Sequence, residues 1–99
     1  MVRHIVCWNF QHKFSLAERE KYAQQIKQEL EALKDSIPGI IELTVYTSLL
    51  PTGNKDVLLN SLFESEAALA AYQTHPEHGR VSNFVGTILQ ERVCADYIE

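Results

Sequence analysis

The chain has 99 residues, 45% of them hydrophobic and 22% charged, with a formal net charge of −4. That length makes one small domain, residues 1–99, which buries only about 60–65% of the surface its unfolded chain exposes. An acidic balance without a basic stripe argues against nucleic acid. With no membrane-length apolar run and no basic-apolar leader at Met1, the expectation is a cytoplasmic protein.

Val2 to Phe10 is rich in β-branched and aromatic residues and reads as a first strand. Val2, His4, Val6, Trp8 and Phe10 lie on one side. Ile5 and Cys7 lie on the other, flanked by Arg3 and Asn9. Ser15-Leu16-Ala17-Glu18 is a capping box, and Tyr22, Ile26, Leu30, Leu33 and Ile37 follow at helical spacing. Arg19, Lys21, Lys27, Glu29, Glu31 and Lys34 fall largely off that stripe and read as a solvated face. Pro38-Gly39 ends the helix.

Ile40 to Tyr46 reads as a second strand, with Ile41, Leu43 and Val45 on one side. A loop from Leu49 to Lys55 carries Pro51 and Gly53, and Asp56 to Phe63 makes a third strand. Ser65 is a good N-cap for a helix that puts Leu69 and Tyr72 on one face. Pro76 either breaks this helix or opens another, on which His78, Val81 and Val85 share a side. Ile88 to Ile98 is the last strand. Cys7 and Cys94, without C-x-x-C spacing, read as buried reduced thiols.

The order β-α-β-β-α-β is that of an α+β, ferredoxin-like domain with a four-stranded antiparallel sheet. Two helices cover one face of such a sheet. The other still carries apolar side chains such as Ile5 and Cys7, and pairing two sheets in a homodimer would bury it.

Chemistry is concentrated in Ala71-Tyr72-Gln73-Thr74-His75-Pro76-Glu77-His78, which holds a phenol and two imidazoles in eight residues. With His4 facing it, this segment would make a polar cluster in an apolar pocket. A histidine beside a tyrosine can take a proton α to a carbonyl while the phenol stabilises the enolate oxygen. The same residues could instead simply tie the second helical segment to the first strand. No carboxylate or third histidine obviously completes a metal site at His75 and His78, although Glu77 is adjacent, so neither a metal nor a cofactor is expected.

The opening Val2-Arg3-His4-Ile5-Val6, the segment from Phe63 to His78, Ile37-Pro38-Gly39-Ile40 and Glu91 to Tyr97 together resemble the stress-responsive A/B barrel (Dabb) family. The resemblance spans essentially the whole chain and implies a homodimeric α/β barrel. One plant member of the family is a polyketide cyclase that closes a poly-β-ketone by aldol condensation. Its catalytic histidine and tyrosine match His78 and Tyr72, and its further pocket histidine matches His4. His75 also matches a histidine of its motif. Where the cyclase has tunnel aromatics, this chain has Tyr22, Ala23, Ile26 and Leu89, so the cavity is remodelled.

The resemblance thus implies His78 and Tyr72 as catalytic candidates. Around them His4, Val6, Trp8, Tyr22, Ile26, His75, Val81 and Leu89 would be substrate-binding residues. The expected ligand is a small apolar or keto-type metabolite. A cyclase-like lyase, and a cofactor-free monooxygenase of the related dimeric barrels, are the enzymatic alternatives.

Overall fold

A computed structural model describes residues 1–99. The strands are β1 (Val2–Phe10), β2 (Ile40–Tyr46), β3 (Val57–Phe63) and β4 (Leu89–Ile98). The helices are α1 (Leu16–Glu31), the single turn α2 (Leu33–Ser36), α3 (Glu66–Thr74) and α4 (Pro76–Gly86). All strand pairs are antiparallel, in the order β2-β3-β1-β4. This is the ferredoxin-like α+β fold, with the helices on one face of the sheet.

Local chemistry accounts for the element ends. Ser15 accepts from the Glu18 backbone N–H at 3.2 Å, and the Glu18 carboxylate accepts from the Ser15 N–H at 2.9 Å. The apolar stripe of α1 continues into α2, but the helix is interrupted at Ala32 rather than running unbroken to Ile37. Gly39 follows with φ +91°, and a Cβ there would lie 2.8 Å from that of Ala68, so only glycine fits.

The core lies between the sheet and the helices. In β1 every second residue from Val2 to Phe10 is buried, which puts His4, Val6 and Trp8 on the helix side. Ile26, Leu33, Val81, Tyr72 and Phe63 close over them. Three expectations are corrected here. A bulge between Ile40 and Glu42 puts Ile40 in the core and leaves Ile41 half-exposed, while Leu43 and Val45 point inward. Lys27 and Glu31 are not merely solvated. Lys27 Nζ donates to the Val45 carbonyl at 2.7 Å, and Glu31 Oε2 accepts from the Val45 N–H at 3.0 Å, which covers part of edge strand β2. The thiols are free, but Cys7 is only half-buried and Cys94, on edge strand β4, is exposed.

The other face of the sheet has no helix. Cys7 stands opposite Leu58 and Val93, and Ile5 opposite Asn60 and Ala95, so these side chains share that face. Val93 is 51% and Tyr97 50% exposed. At one end Arg3 makes a bidentate pair with Glu99, at 3.0 and 2.8 Å, and also bonds Glu42 at 2.9 Å. The face is apolar toward its middle and charged at that edge.

Candidate functional site

The break between α3 and α4 builds the site. His75 serves both helices: its N–H donates to the Tyr72 carbonyl at 3.2 Å, and its Nδ1 accepts from the Glu77 N–H at 3.1 Å. Pro76 then occupies the first position of α4, where a missing N–H is harmless. The chain turns through His75, bringing Tyr72 from the last turn of α3 against His78 from the first turn of α4. Their ring centroids are 4.4 Å apart and the planes meet at 52°. On its other sides Tyr72 meets Phe63 at 4.9 Å and His4 edge-on at 6.3 Å.

The His4, Tyr72 and His78 rings line a cavity of about 350 Å³, near the lower end of small-molecule pockets. His4, Val6 and Trp8 of β1 contribute one side. Tyr72, His78, Ser82 and Val85 contribute the helical side, and Leu89 to Arg92 the edge. Of the residues expected at a site, six therefore line it: His4, Val6, Trp8, Tyr72, His78 and Leu89. The other four do not. Tyr22 packs edge-on against Phe14 at 5.2 Å, and Ile26 and Val81 are fully buried in the core. His75 is a helix cap.

Burial pushes His78 below its usual range, and the charges of His4, Arg92 and His75 act in the same direction. One ring N–H donates to the Gln73 carbonyl, which opposes the shift without reversing it. At neutral pH the imidazole is neutral and its second nitrogen keeps a lone pair. Burial pushes the Tyr72 phenol up to about 12, with Arg92 opposing, so it stays protonated. A neutral base and a hydrogen-bond donor thus share one wall.

Two features were missed in the sequence reading. The β1–β4 register shifts between Cys7 and Asn9, where Glu91 and Arg92 both face the level of Trp8. Glu91 adopts φ 56°, an uncommon conformation for a residue with a side chain, and its carboxylate accepts from Asn9 Nδ2 at 2.7 Å. The bulge brings Arg92 to the cavity, where its guanidinium acts electrostatically on both Tyr72 and His78. Nothing local marks this, because the register is set by pairing with a strand some 80 positions away. The second feature is at His4. Its Nδ1 is hydrogen-bonded to Asp96 Oδ1, with Cys94 Sγ 3.6 Å from both atoms. Those three side chains, not His75 and His78, are the ones placed to hold a metal ion.

With this geometry in view, residues 2–99 match the sequence profile of the Stress responsive A/B Barrel Domain, Dabb. The chain belongs to the Dabb family. This Dabb protein superposes on a dimeric ferredoxin-like protein of unknown function from Bacteroides fragilis with a TM-score of 0.90 and 26% identity, over 99% of this chain and 95% of that one. A second dimeric ferredoxin-like protein of unknown function, from Thermobifida fusca, gives 0.83 and 23% over 99% and 90%. Hydroxynitrile lyase from Passiflora edulis gives 0.82 and 22% over 99% and 92%. No curated protein sequence matches the chain. None of its helices is long and apolar enough to cross a membrane.

Proposed function

We propose that this Dabb protein binds a small, largely apolar metabolite with a carbonyl end in the cavity between sheet and helices. The observation that carries this reading is the Tyr72–His78 pair, 4.4 Å apart on the wall of a pocket whose apolar lining is Val6, Trp8, Leu30, Leu59, Val85 and Leu89, with His4, Ser82 and Gln90 to Arg92 as its polar part. The apolar side chains take the body of the ligand. The Tyr72 hydroxyl and the Arg92 guanidinium are the donors for its oxygen. Trp8, the only tryptophan, sits in the wall and gives a direct test. Titrating a panel of apolar β-keto compounds should change its fluorescence saturably. No saturable change with any member, while the protein stays folded, overturns the reading.

The protonation states favour a second step. A neutral His78 can accept the proton lost from the carbon α to that carbonyl. The electron pair of the broken C–H bond moves onto the oxygen, where the Tyr72 hydrogen bond and the Arg92 charge stabilise the enolate. A lyase or cyclase working by this proton transfer is the enzymatic form of the proposal, and the same fold carries a lyase in Passiflora edulis. Deuterium exchange at the α-carbon of a bound ketone, followed by NMR, tests it without knowledge of the product.

We also place the protein as a homodimer through the helix-free sheet face, as its exposed Val93 and Tyr97 and the dimeric relatives support. Two free thiols accord with a reducing, cytoplasmic setting.

A further inference from the structure

Three ligating atoms of different chemistry meet where β1 and β4 pair, on the helix side of the sheet. His4 stands opposite Asp96 and Val6 opposite Cys94, so Cys94 and Asp96 are alternate residues on the face that His4 occupies. Cys94 Sγ lies 3.6 Å from His4 Nδ1 and 3.6 Å from Asp96 Oδ1, and the latter two atoms are hydrogen-bonded. This is the one group of three His, Cys, Asp or Glu side chains whose ligand atoms all lie within 4.8 Å of one another.

The spacing suits a zinc-class ion. With tetrahedral bonds of about 2.0–2.3 Å, neighbouring ligand atoms stand roughly 3.3–3.7 Å apart. Both edges that include sulfur already have that length. Only the nitrogen–oxygen edge must open. The Asp96 side chain is 40% exposed and can swing outward, while His4, at 3%, stays fixed in the core.

We propose that His4 Nδ1, Cys94 Sγ and Asp96 Oδ1 form a binding site for one divalent cation of the zinc class, with solvent completing the tetrahedron. On binding, the Cys94 thiol loses its proton to solvent. The proton that His4 Nδ1 shares with Asp96 is re-sited on Nε2 by way of solvent, so the imidazole stays neutral and its Nδ1 lone pair is freed. Bonds from the metal to sulfur, nitrogen and oxygen then form. Thiolate and carboxylate together balance the charge of the ion. The sulfur favours zinc, cobalt(II) or cadmium over magnesium and calcium. The inference is independent of the carbonyl-ligand reading, since it needs neither Tyr72 nor His78.

Anaerobic titration of the full chain with cobalt(II) chloride tests it by absorption. The expected result is one cobalt per chain, with a near-ultraviolet sulfur-to-cobalt charge-transfer band and the strong visible bands of four-coordinate cobalt, all bleached by zinc. Cys94→Ser should abolish the charge-transfer band. Asp96→Asn should keep that band but weaken binding by more than about tenfold. Cys7→Ser, which changes the thiol on the opposite face, should behave as the parent. Cys94 and Asp96 are exposed, so both substitutions leave the core intact. Absence of the band from the parent protein, or its persistence in Cys94→Ser, overturns the proposal.

Discussion

The Tyr72 and His78 rings stand 4.4 Å apart across the α3–α4 break, and this contact exists because His75 caps both helices at once. Tyr72 is buried, with 1% of its surface exposed, yet it lines the cavity together with His78. The pair is therefore rigid on the protein side and reachable from the ligand side, which a proton-transfer site requires.

Replacing His78 by alanine separates chemistry from architecture. A general base contributes about 10²–10⁴-fold, so α-carbon exchange should fall by that much while the melting temperature changes little. Were His78 chiefly a strut, losing its bond to Gln73 would instead cost about 1–3 kcal/mol and lower the melting temperature. Measuring exchange and melting on one sample decides between the two.

The pH dependence has a definite sign. His78 titrates below 6.5 in the folded chain because burial disfavours its charged form, and at about that value when unfolded. Between those values the unfolded state holds more protons, so stability rises with pH. The contribution is fully present above 6.5 and is lost as pH falls through the lowered folded value. Melting curves of the parent and of His78→Gln across this acidic range should converge in slope above it and diverge within it. Parallel curves throughout would remove His78 as the titrating group.

Much of this was readable along the chain. The alternation of β1 placed His4 beside the helices, and Ser15 with Glu18 marked the start of α1. Pro76 left two outcomes open, and the structure takes the one in which it begins a helix. What escaped the reading depends on which strands pair. The Glu91 bulge carries Arg92 into the cavity, and the β1–β4 register sets Cys94 and Asp96 beside His4. Tyr22 fell on the apolar stripe of α1, but Phe14, just before the cap, holds its ring away from the cavity.

Gly39→Ala should be costly although the added group is small. The φ of +91° is unfavourable for any side chain, and the new methyl would meet the Ala68 Cβ at 2.8 Å. A loss of at least ~1 kcal/mol is expected, or about 4–8 °C in melting temperature for each kcal/mol in a domain of this size. Unchanged melting would mean that the turn between α2 and β2 relaxes freely.

The dimer can be tested at Ile5 and Cys7, which lie toward the middle of the helix-free face, away from the Arg3–Glu42–Glu99 edge. Sedimentation of the parent should give twice the chain mass of 11.3 kDa. Ile5→Asp would bury an unpaired carboxylate at the interface and should yield folded monomers. A parent that sediments as a monomer at micromolar concentration would rule this interface out.

Arg92 gives the sharpest test of how the cavity reads its ligand. It makes no ion pair within the chain, and it acts on Tyr72 and His78 together from the β4 side. Arg92→Gln keeps a polar side chain on an exposed strand, so stability should move by no more than about 0.5 kcal/mol. Removing the positive charge should ease protonation of His78, raising its pKa, and raise further that of Tyr72. A ligand bound through a neutral carbonyl would lose little affinity. One bound as an enolate or carboxylate would lose on the order of tenfold or more, since a charge-assisted hydrogen bond contributes about 1.5–3 kcal/mol. Comparing Trp8 fluorescence titrations of a ketone and its carboxylate analogue, in parent and variant, reads that difference directly. Equal losses for both ligands would show that Arg92 shapes the cavity rather than recognising charge.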